Sequence, residues 1–470
     1  MDLIKSGAKI LSARSISSGI KFLGLAYFAR TVGATELGIF FMFQAILSFL
    51  VIPSNLGIRL AVEKRISEGT NKSKYLTTGF LIKALLLFVV SISIMITSDY
   101  LTMYLGEDLT LLLIIALAAR ELSDLLIATI RGELRVGDTA IIQLAYAVSW
   151  IGAGVVLTTV GYGLYGLVYS LIFGYVVKLI WAFYRKRTTF GRPNLTLGWS
   201  LVSYGIYSII PSIDGEVHNW MDIFLISIFM TPAAVAAYEF AWRVSQAFKV
   251  LIGAISETIF PQISAWNESD SVKSLERLIP RAITPGLIFV FPAAGGAWLL
   301  SEEILRFAFG AEYTVAAAAL VILMIGKAPR MIRAVIGKCL LGINRADRVT
   351  IASIVDIVGN IALNLLLIPS YGLAGAALGT TLSLTIGFLV RWWYLSQELT
   401  VTIDWKTATW CLGATTVMTI ILWAILTVIE VSSILSLMAV ITIGAVVYFS
   451  VLALNHELRA EVQSVMGSFS

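Results

Sequence analysis

Apolar residues in this chain are gathered into long runs divided by short polar gaps. The runs cover residues 8–29, 37–60, 76–97, 109–130, 139–160, 163–184, 199–227, 234–260, 281–300, 314–337, 350–368, 372–394, 407–428 and 432–454. Crossing a bilayer core as a helix takes about 20 mostly apolar residues. The pattern therefore predicts an all-α integral membrane protein with about fourteen transmembrane helices, numbered here as spans 1–14.

The polar gaps supply an orientation. Threaded from one side, the N-terminus (with Lys9 at the start of span 1), the even-numbered gaps and the C-terminal tail hold 19 basic residues, among them Lys64, Arg65, Arg131, Arg135, Arg185, Lys186, Arg187, Arg345 and Arg348. The odd-numbered gaps hold 2, Arg30 and Arg306, together with the acidic Asp99, Glu107, Asp108, Glu302 and Glu303. Lys and Arg are retained on the cytoplasmic side, so both termini are expected there, in a multi-pass protein of the plasma membrane. Span 1 carries Arg14 and Lys21 and no small-residue cleavage site, so it reads as a retained helix and not as a signal peptide. Two apparent motifs lose their meaning in this frame. The sequons at Asn71, Asn194 and Asn267 fall in cytoplasmic gaps. The string Gly161-Tyr-Gly163-Leu-Tyr-Gly166 follows a membrane span, and Trp181 stands where a dinucleotide fold needs an acid. It reads as a tight turn between two helices.

That turn recurs. Tyr162–Gly166 (YGLYG) returns as Tyr371–Gly375 (YGLAG), each followed by an aromatic-rich helix end, Trp181–Tyr184 and Trp392–Tyr394. Ala34–Phe40 likewise lines up with Pro232–Tyr238. The offsets, about 209 and 198 residues, suggest that spans 1–6 and 7–12 are two copies of one unit. An offset of six helices makes the copies parallel, an arrangement in which transporters place the substrate between the halves. The expected organisation is a six-helix lobe over 1–190, a second over 191–400, and two extra helices with a tail over 401–470.

Composition agrees. Of the 470 residues 58% are hydrophobic and 13% charged, against roughly 45–50% and 25% in soluble domains. That disfavours a soluble enzyme, a nucleic-acid binder and a disulfide scaffold. The net charge of +5 lies largely in the gaps, and Cys339 and Cys411 make no cysteine framework. No metal site and no cofactor is expected.

Ionisable residues inside the spans carry the functional argument, because each costs at least about 2.5–3.5 kcal/mol at mid-membrane and so seeks a cavity or a partner. Spans 13 and 14 have none; the first twelve have many. Span 1 sets Arg14 and Lys21 seven residues apart on one face; Arg14 is close enough to the headgroups to snorkel, whereas Lys21 is too deep. Span 4 holds Arg120, Glu121 and Asp124, either a self-neutralising Arg120–Asp124 pair at i and i+4 or a substrate or ion site. Span 7 places Asp214, Glu216, His218 and Asp222 around Pro211 and Gly215, where a kink or break is expected. Clustered carboxylates raise one another's pKa, which suits reversible ion binding; a purely structural, hydrogen-bonded kink is the competing reading. Span 8 offers a Glu239–Arg243 pair with Gln246 on the same stripe, and Lys249 and Glu257 nearer the cytoplasm. Span 10 brings Lys327, Arg330 and Arg333 around Pro329 with no local acid, so the carboxylates of span 7, Asp356 of span 11 or a substrate phosphate must neutralise them. Lys83, Lys178 and Arg391 lie near span ends and read as snorkelling anchors.

The charged span 1 runs into Ala29–Phe40 (ARTVGATELGIF), Leu56-Gly57 and Glu63-Lys64-Arg65 follow, and Asp222–Ile226 (DIFLI) is followed by Ala237–Arg243 (AYEFAWR). In these motifs the chain resembles the polysaccharide and lipid-linked oligosaccharide flippases of the multidrug/oligosaccharidyl-lipid/polysaccharide exporter superfamily. The resemblance implies export, by alternating access and with possible H+ or Na+ coupling, of a glycan on a polyprenyl or dolichyl phosphate or pyrophosphate. Arg14, Lys21, Arg243, Lys327, Arg330 and Arg333 would then hold the phosphate. Asp214, Glu216, His218 and Asp222 would serve coupling or gating, with Arg120, Glu121, Asp124, Glu239 and Asp356 as secondary cavity charges. Spans 13 and 14 could line a groove for the lipid tail. The partners implied are the lipid-linked glycan and membrane lipids, with the protein acting as a monomer. A peptidoglycan-precursor flippase shares the fourteen-helix plan. A multidrug extruder fits less well, having typically twelve helices and a cavity for cations. A membrane glycosyltransferase would need a larger external loop than residues 301–313.

Overall fold

The computed structural model of the chain describes residues 2–207, 209–246, 272–400 and 404–455, which are helical with no strand among them. The side chains of Arg14 and Asp214, and the whole of Lys249, Glu257 and Asn267, lie outside the described residues. In chain order the helices are α1 (Asp2–Thr31), α2 (Ala34–Asn55), α3 (Ile58–Ser67), α4 (Lys72–Ile96), α5 (Ser98–Leu105), α6 (Thr110–Gly132), α7 (Val136–Thr159), α8 (Gly163–Arg185), α9 (Leu195–Tyr207) and α10 (Ile209–Phe229). There follow α11 (Pro232–Ser245), α12 (Val272–Ala308), a 3-10 turn (Ala311–Ala316), α13 (Ala317–Ile325), α14 (Lys327–Gly342), α15 (Ala346–Ser396), α16 (Trp405–Val428) and α17 (Ile434–Leu452).

Among the described residues, nine helical stretches are long and apolar enough to cross a membrane. The chain is a multi-pass membrane protein. One stretch, the 51-residue α15, holds two of the apolar runs, which meet where Gly372 leaves helical geometry (φ 56°, ψ −132°). Another run, around α6, carries too many charges to count as plainly apolar. The run at 37–60 is interrupted, because Leu56 (φ 42°) and Gly57 (φ 73°) turn the chain between α2 and α3. Glycine is needed at 57: a Cβ there would collide with the backbone of Gly205. The recurring YGLYG turn is a helix–helix turn, with positive φ at Gly161 and Gly163.

By packing, the chain divides into two compact units, residues 1–227 with 231–235, and residues 228–230 with 236–470. Sequence similarity sets its boundary near residue 190, whereas α9 and α10 pack with the first unit. Three features hold them there. Gly57 and Gly205 bring α3 and α9 to backbone contact. The Phe224 ring of α10 meets Phe49 and Tyr104 at 5.7 and 5.8 Å, and Tyr104 shares a hydrogen bond with Ser227. The connection at 186–194 is fastened to α4, with the Gly191 N–H donating to Thr77 Oγ1 (2.8 Å) and the Asn194 N–H to Thr78 Oγ1 (3.0 Å).

The first unit's core is aliphatic, drawn from α3, α4, α6, α7, α8 and α9, with Ile58, Val62, Leu76, Leu125, Ile130 and Leu201 among its buried members. The second unit has one cluster of α12, α14 and α15 around Ile283, Met331, Val335 and Leu395. A separate cluster seats α16 and α17 on α12 through Cys411, Met418, Leu422, Val440 and Tyr448. The opposite faces of α16 and α17, with Leu412, Ile420, Trp423, Leu435 and Val446, are apolar and exposed. Such faces are stable only against lipid or another apolar surface.

Candidate functional site

In the first unit, α6 distributes its three charges to three different neighbours. Glu121, 1% exposed, pairs with Lys83 of α4, which is 0% exposed and also donates to Asn55 Oδ1 at 2.7 Å. Asp124 pairs with Lys178 of α8 and, at 3.7 Å, with Arg59 of α3. Arg120 donates to Ser48 Oγ of α2 at 2.9 Å and lies 3.8 Å from Glu216 Oε1 of α10.

These contacts correct the sequence reading on several points. Lys83 and Lys178 are not snorkelling anchors; both are buried against carboxylates of α6. Arg120 and Asp124 do not pair with one another, because nearer partners on α2, α3, α8 and α10 claim each of them. Arg59 escaped notice altogether. It lies at the end of an apolar run, and only the Leu56-Gly57 turn swings it onto α6.

Lys21 of α1 lies over the Tyr146 ring of α7 at 5.1 Å, and Lys178 approaches the same ring at 5.8 Å. Tyr146 itself stacks on Tyr175 and Trp150 at 5.2 and 5.9 Å. On α10 the backbone is helical across Pro211 and Gly215, with no break there. His218 and Asp222 are buried and Glu216 is half-buried toward Arg120, so one member of the expected carboxylate cluster has a cation partner in the same unit.

In the second unit the Glu239–Arg243 pair forms within α11 at 2.6 Å. The three cations of α14 divide. Lys327 and Arg330 lie 4.8 and 5.5 Å from the buried Trp242 ring of α11, a cation–π placement that partly replaces lost hydration. Arg333 Nε meets Asp356 Oδ2 of α15 at 2.6 Å, so Asp356, of the neutralising candidates, is the one found beside it. The same oxygen accepts from Arg391 Nη1 at 3.0 Å. Arg391, 3% exposed, is therefore not an anchor either. Below Asp356 the stripe continues through the buried Asn360 and Asn364, which face Thr380 and Gly379 across the α15 hairpin.

The charge balance differs between the units. Among the described side chains within the apolar runs, the first unit sets Lys21, Arg59, Lys83, Arg120 and Lys178 against Glu121, Asp124, Glu216 and Asp222. The second sets Arg243, Lys327, Arg330, Arg333 and Arg391 against Glu239 and Asp356 alone. Five cations to two carboxylates is a larger positive balance, among these described side chains, than the first unit's five to four. No group of three or more His, Cys, Asp or Glu suited to a metal ion occurs among the described residues.

Comparison with known proteins gives this charge pattern a context. The polysaccharide biosynthesis protein family matches residues 3–266, and the lipid II flippase MurJ family matches residues 137–448. A Haloferax volcanii protein named "Probable low-salt glycan biosynthesis flippase Agl15" is 35% identical over 98% of this chain and 97% of its own. The chain belongs to the polysaccharide biosynthesis protein family. Through it, the chain is a flippase of the multidrug/oligosaccharidyl-lipid/polysaccharide exporter superfamily. A second Haloferax volcanii relative, "Probable flippase AglR", is 26% identical over 94% of this chain and 93% of its own. Among solved structures, the inward closed conformation of the lipid II flippase MurJ matches with a TM-score of 0.82 at 17% identity, over 95% of this chain and 98% of that one. An inward-facing multidrug resistance MATE family transporter matches at a TM-score of 0.64 and 17% identity, over 83% of this chain and 98% of that one. At those identities the two structures speak for the fold.

Proposed function

We propose that this flippase moves an oligosaccharide linked to a polyprenyl or dolichyl phosphate or pyrophosphate from the cytoplasmic to the outer leaflet of the plasma membrane. The observation that carries this is the cation surplus among the second unit's described membrane-embedded side chains. A phosphate diester is a permanent anion at neutral pH, and guanidinium forks match its oxygens in charge and geometry. Arg243, Lys327, Arg330 and Arg333 are the second unit's residues assigned to that headgroup. Nearly full-length similarity to two proteins named as flippases, one of them for glycan biosynthesis, supports the same substrate class.

The remaining parts of the reading follow from the sequence. The chain crosses the membrane fourteen times with both termini cytoplasmic, works as a monomer and cycles by alternating access. Translocation is coupled to H+ or Na+ through the α10 groups Asp214, Glu216, His218 and Asp222. Glu216 has a specific reason to take part: its 3.8 Å approach to Arg120 is a loose ion pair, easily exchanged for a bound cation.

Reconstituted into proteoliposomes, the protein should accelerate transbilayer movement of a fluorescent polyprenyl-phosphate-linked sugar, and R330Q/R333Q should bring the rate to that of empty vesicles at unchanged protein content. A double variant as fast as the wild type would sink the phosphate assignment. D222N should abolish the response to an imposed ion gradient; an unchanged response removes Asp222 from coupling. A peptidoglycan-precursor headgroup is the second reading, favoured by the MurJ family match to residues 137–448. Competition between the two lipid-linked glycans in the same vesicles separates them.

A further inference from the structure

Glu216 of α10 is held differently from Glu121 and Asp124 of α6. Those two make close contacts with Lys83 and Lys178, and their side chains are 1% and 17% exposed. Glu216 meets its cation, Arg120, only at 3.8 Å, and its side chain is 23% exposed. That separation is an ion pair but no hydrogen bond. Arg120 has a firmer hold elsewhere, donating through Nη1 to Ser48 Oγ of α2 at 2.9 Å. The charged groups acting on Glu216 from neighbouring helices are Arg120, Arg59, Asp124 and Glu121. The Tyr175 hydroxyl of α8 is a further titratable neighbour, and Asp214, His218 and Asp222 share the helix of Glu216. About two turns further along α10, a second fastening joins it to the first unit. There Phe224 packs on Phe49 and Tyr104, and Tyr104 shares a hydrogen bond with Ser227.

We propose that the coupling ion is a proton, that it binds at Glu216, and that Arg120 is the cation it replaces. The inference rests on the reading that α10 couples translocation to H+ or Na+. A hard metal cation is held by several oxygens at once. The carboxylates of α6 that could complete such a shell are engaged, and drawing Glu121 or Asp124 toward Glu216 would strand a buried lysine. A proton needs one oxygen: it bonds to the carboxylate and leaves a neutral carboxylic acid. The loose pair with Arg120 then dissolves, while Arg120 keeps Ser48. Ionised Glu216 thus ties α10, through Arg120, to α6 and α2. Protonated Glu216 unties it there and leaves the Phe224 fastening in place. A ligand shifts a conformational balance only by binding one arrangement better than the other. The proton binds the untied arrangement better, because in the tied one Arg120 already neutralises the carboxylate.

The test uses the full-length protein in proteoliposomes, with a fluorescent polyprenyl-phosphate-linked sugar as the probe and the membrane potential clamped by K+ and valinomycin. An imposed pH gradient should change the wild-type rate severalfold, and a Na+ gradient at equal pH should leave it unchanged. E216Q, which resembles the protonated side chain, should lose the response to pH. Arg120 is a positioning residue and is read from the midpoint of rate against pH in symmetric buffer. A nearby cation opposes protonation of a carboxylate by about 1–3 pH units. The midpoint in R120Q should therefore lie at a proton concentration about tenfold or more below that of wild type, and in R120K close to wild type. An arginine with a merely structural role would change the size of the rate and not its midpoint. The gradient arms and E216Q decide the matter even where R120Q cannot be purified. A pH response kept in E216Q, or an R120Q midpoint equal to that of wild type, would overturn the site while ion coupling stands. A response to Na+ alone would overturn the choice of ion. If neither gradient changes the wild-type rate, the coupling reading itself fails and takes this inference with it.

Discussion

Replacing Lys83 with methionine discriminates sharply between two physical pictures of this protein. A lysine that snorkels to the headgroups contributes little, and K83M would cost at most about 1 kcal/mol, as for an exposed pair. The structure instead buries Lys83 completely between Glu121 and Asn55. Methionine fills much of the same volume but strands a carboxylate that is 1% exposed. Removing one partner of a buried pair typically costs about 3–5 kcal/mol, since the remaining charge is desolvated and uncompensated. For a cooperative unit of this size about 2–4 °C accompanies each kcal/mol, so the melting temperature in detergent should fall on the order of 10 °C. K83M/E121L removes both charges and should regain most of the loss, because buried pairs replaced together by apolar groups are often near neutral. Melting curves followed by size-exclusion chromatography would read the three proteins side by side. A K83M shift below about 2 °C, or a double variant no better than the single, would refute the buried-pair account.

Other expectations concern the turns and helix ends. G57V should lower the melting temperature by several degrees, because valine resists φ 73° and its Cβ would meet the Gly205 backbone, a strain of about 1–3 kcal/mol; a neutral G57V would mean α3 and α9 are not held so closely. Burial works to raise the Glu133 carboxyl, but the backbone N–H groups of Thr188 and Arg187 and the Arg135 guanidinium outweigh it and hold the pKa below the ordinary 4.5. Its contribution is therefore complete above pH 4.5 and lost as the pH falls through the depressed folded value. Pepsin cleavage within 186–194 should rise as the pH falls below 4.5 in the wild type and show no such step in E133Q; superimposable profiles would count against the tether. Asp404 caps α16 by accepting from the Thr407 N–H at 3.1 Å, so D404A should cost about 1 kcal/mol, visible as a small drop in melting temperature.

Much was legible along the chain because a bilayer imposes a length on every crossing. The turns at Gly161–Gly163 and Gly372, the Glu239–Arg243 pair and the lack of charge in α16 beyond Lys406 and in α17 are all local in sequence, and periodicity or spacing reaches them. Asp356 as a neutraliser of the α14 cations was also within reach, since Asp356 is the lone carboxylate of its run. The partners of Lys83, Lys178, Arg391 and Arg59 were not. Depth in a run says how far a side chain lies from the headgroups, but nothing about which neighbouring helix it faces. A half-turn of rotation changes an anchor into a buried ion pair. The apolar runs and the charge inventory are thus properties of the amino-acid string. Which charges cancel is decided by packing, because ion pairing depends on distances across helices and not along them.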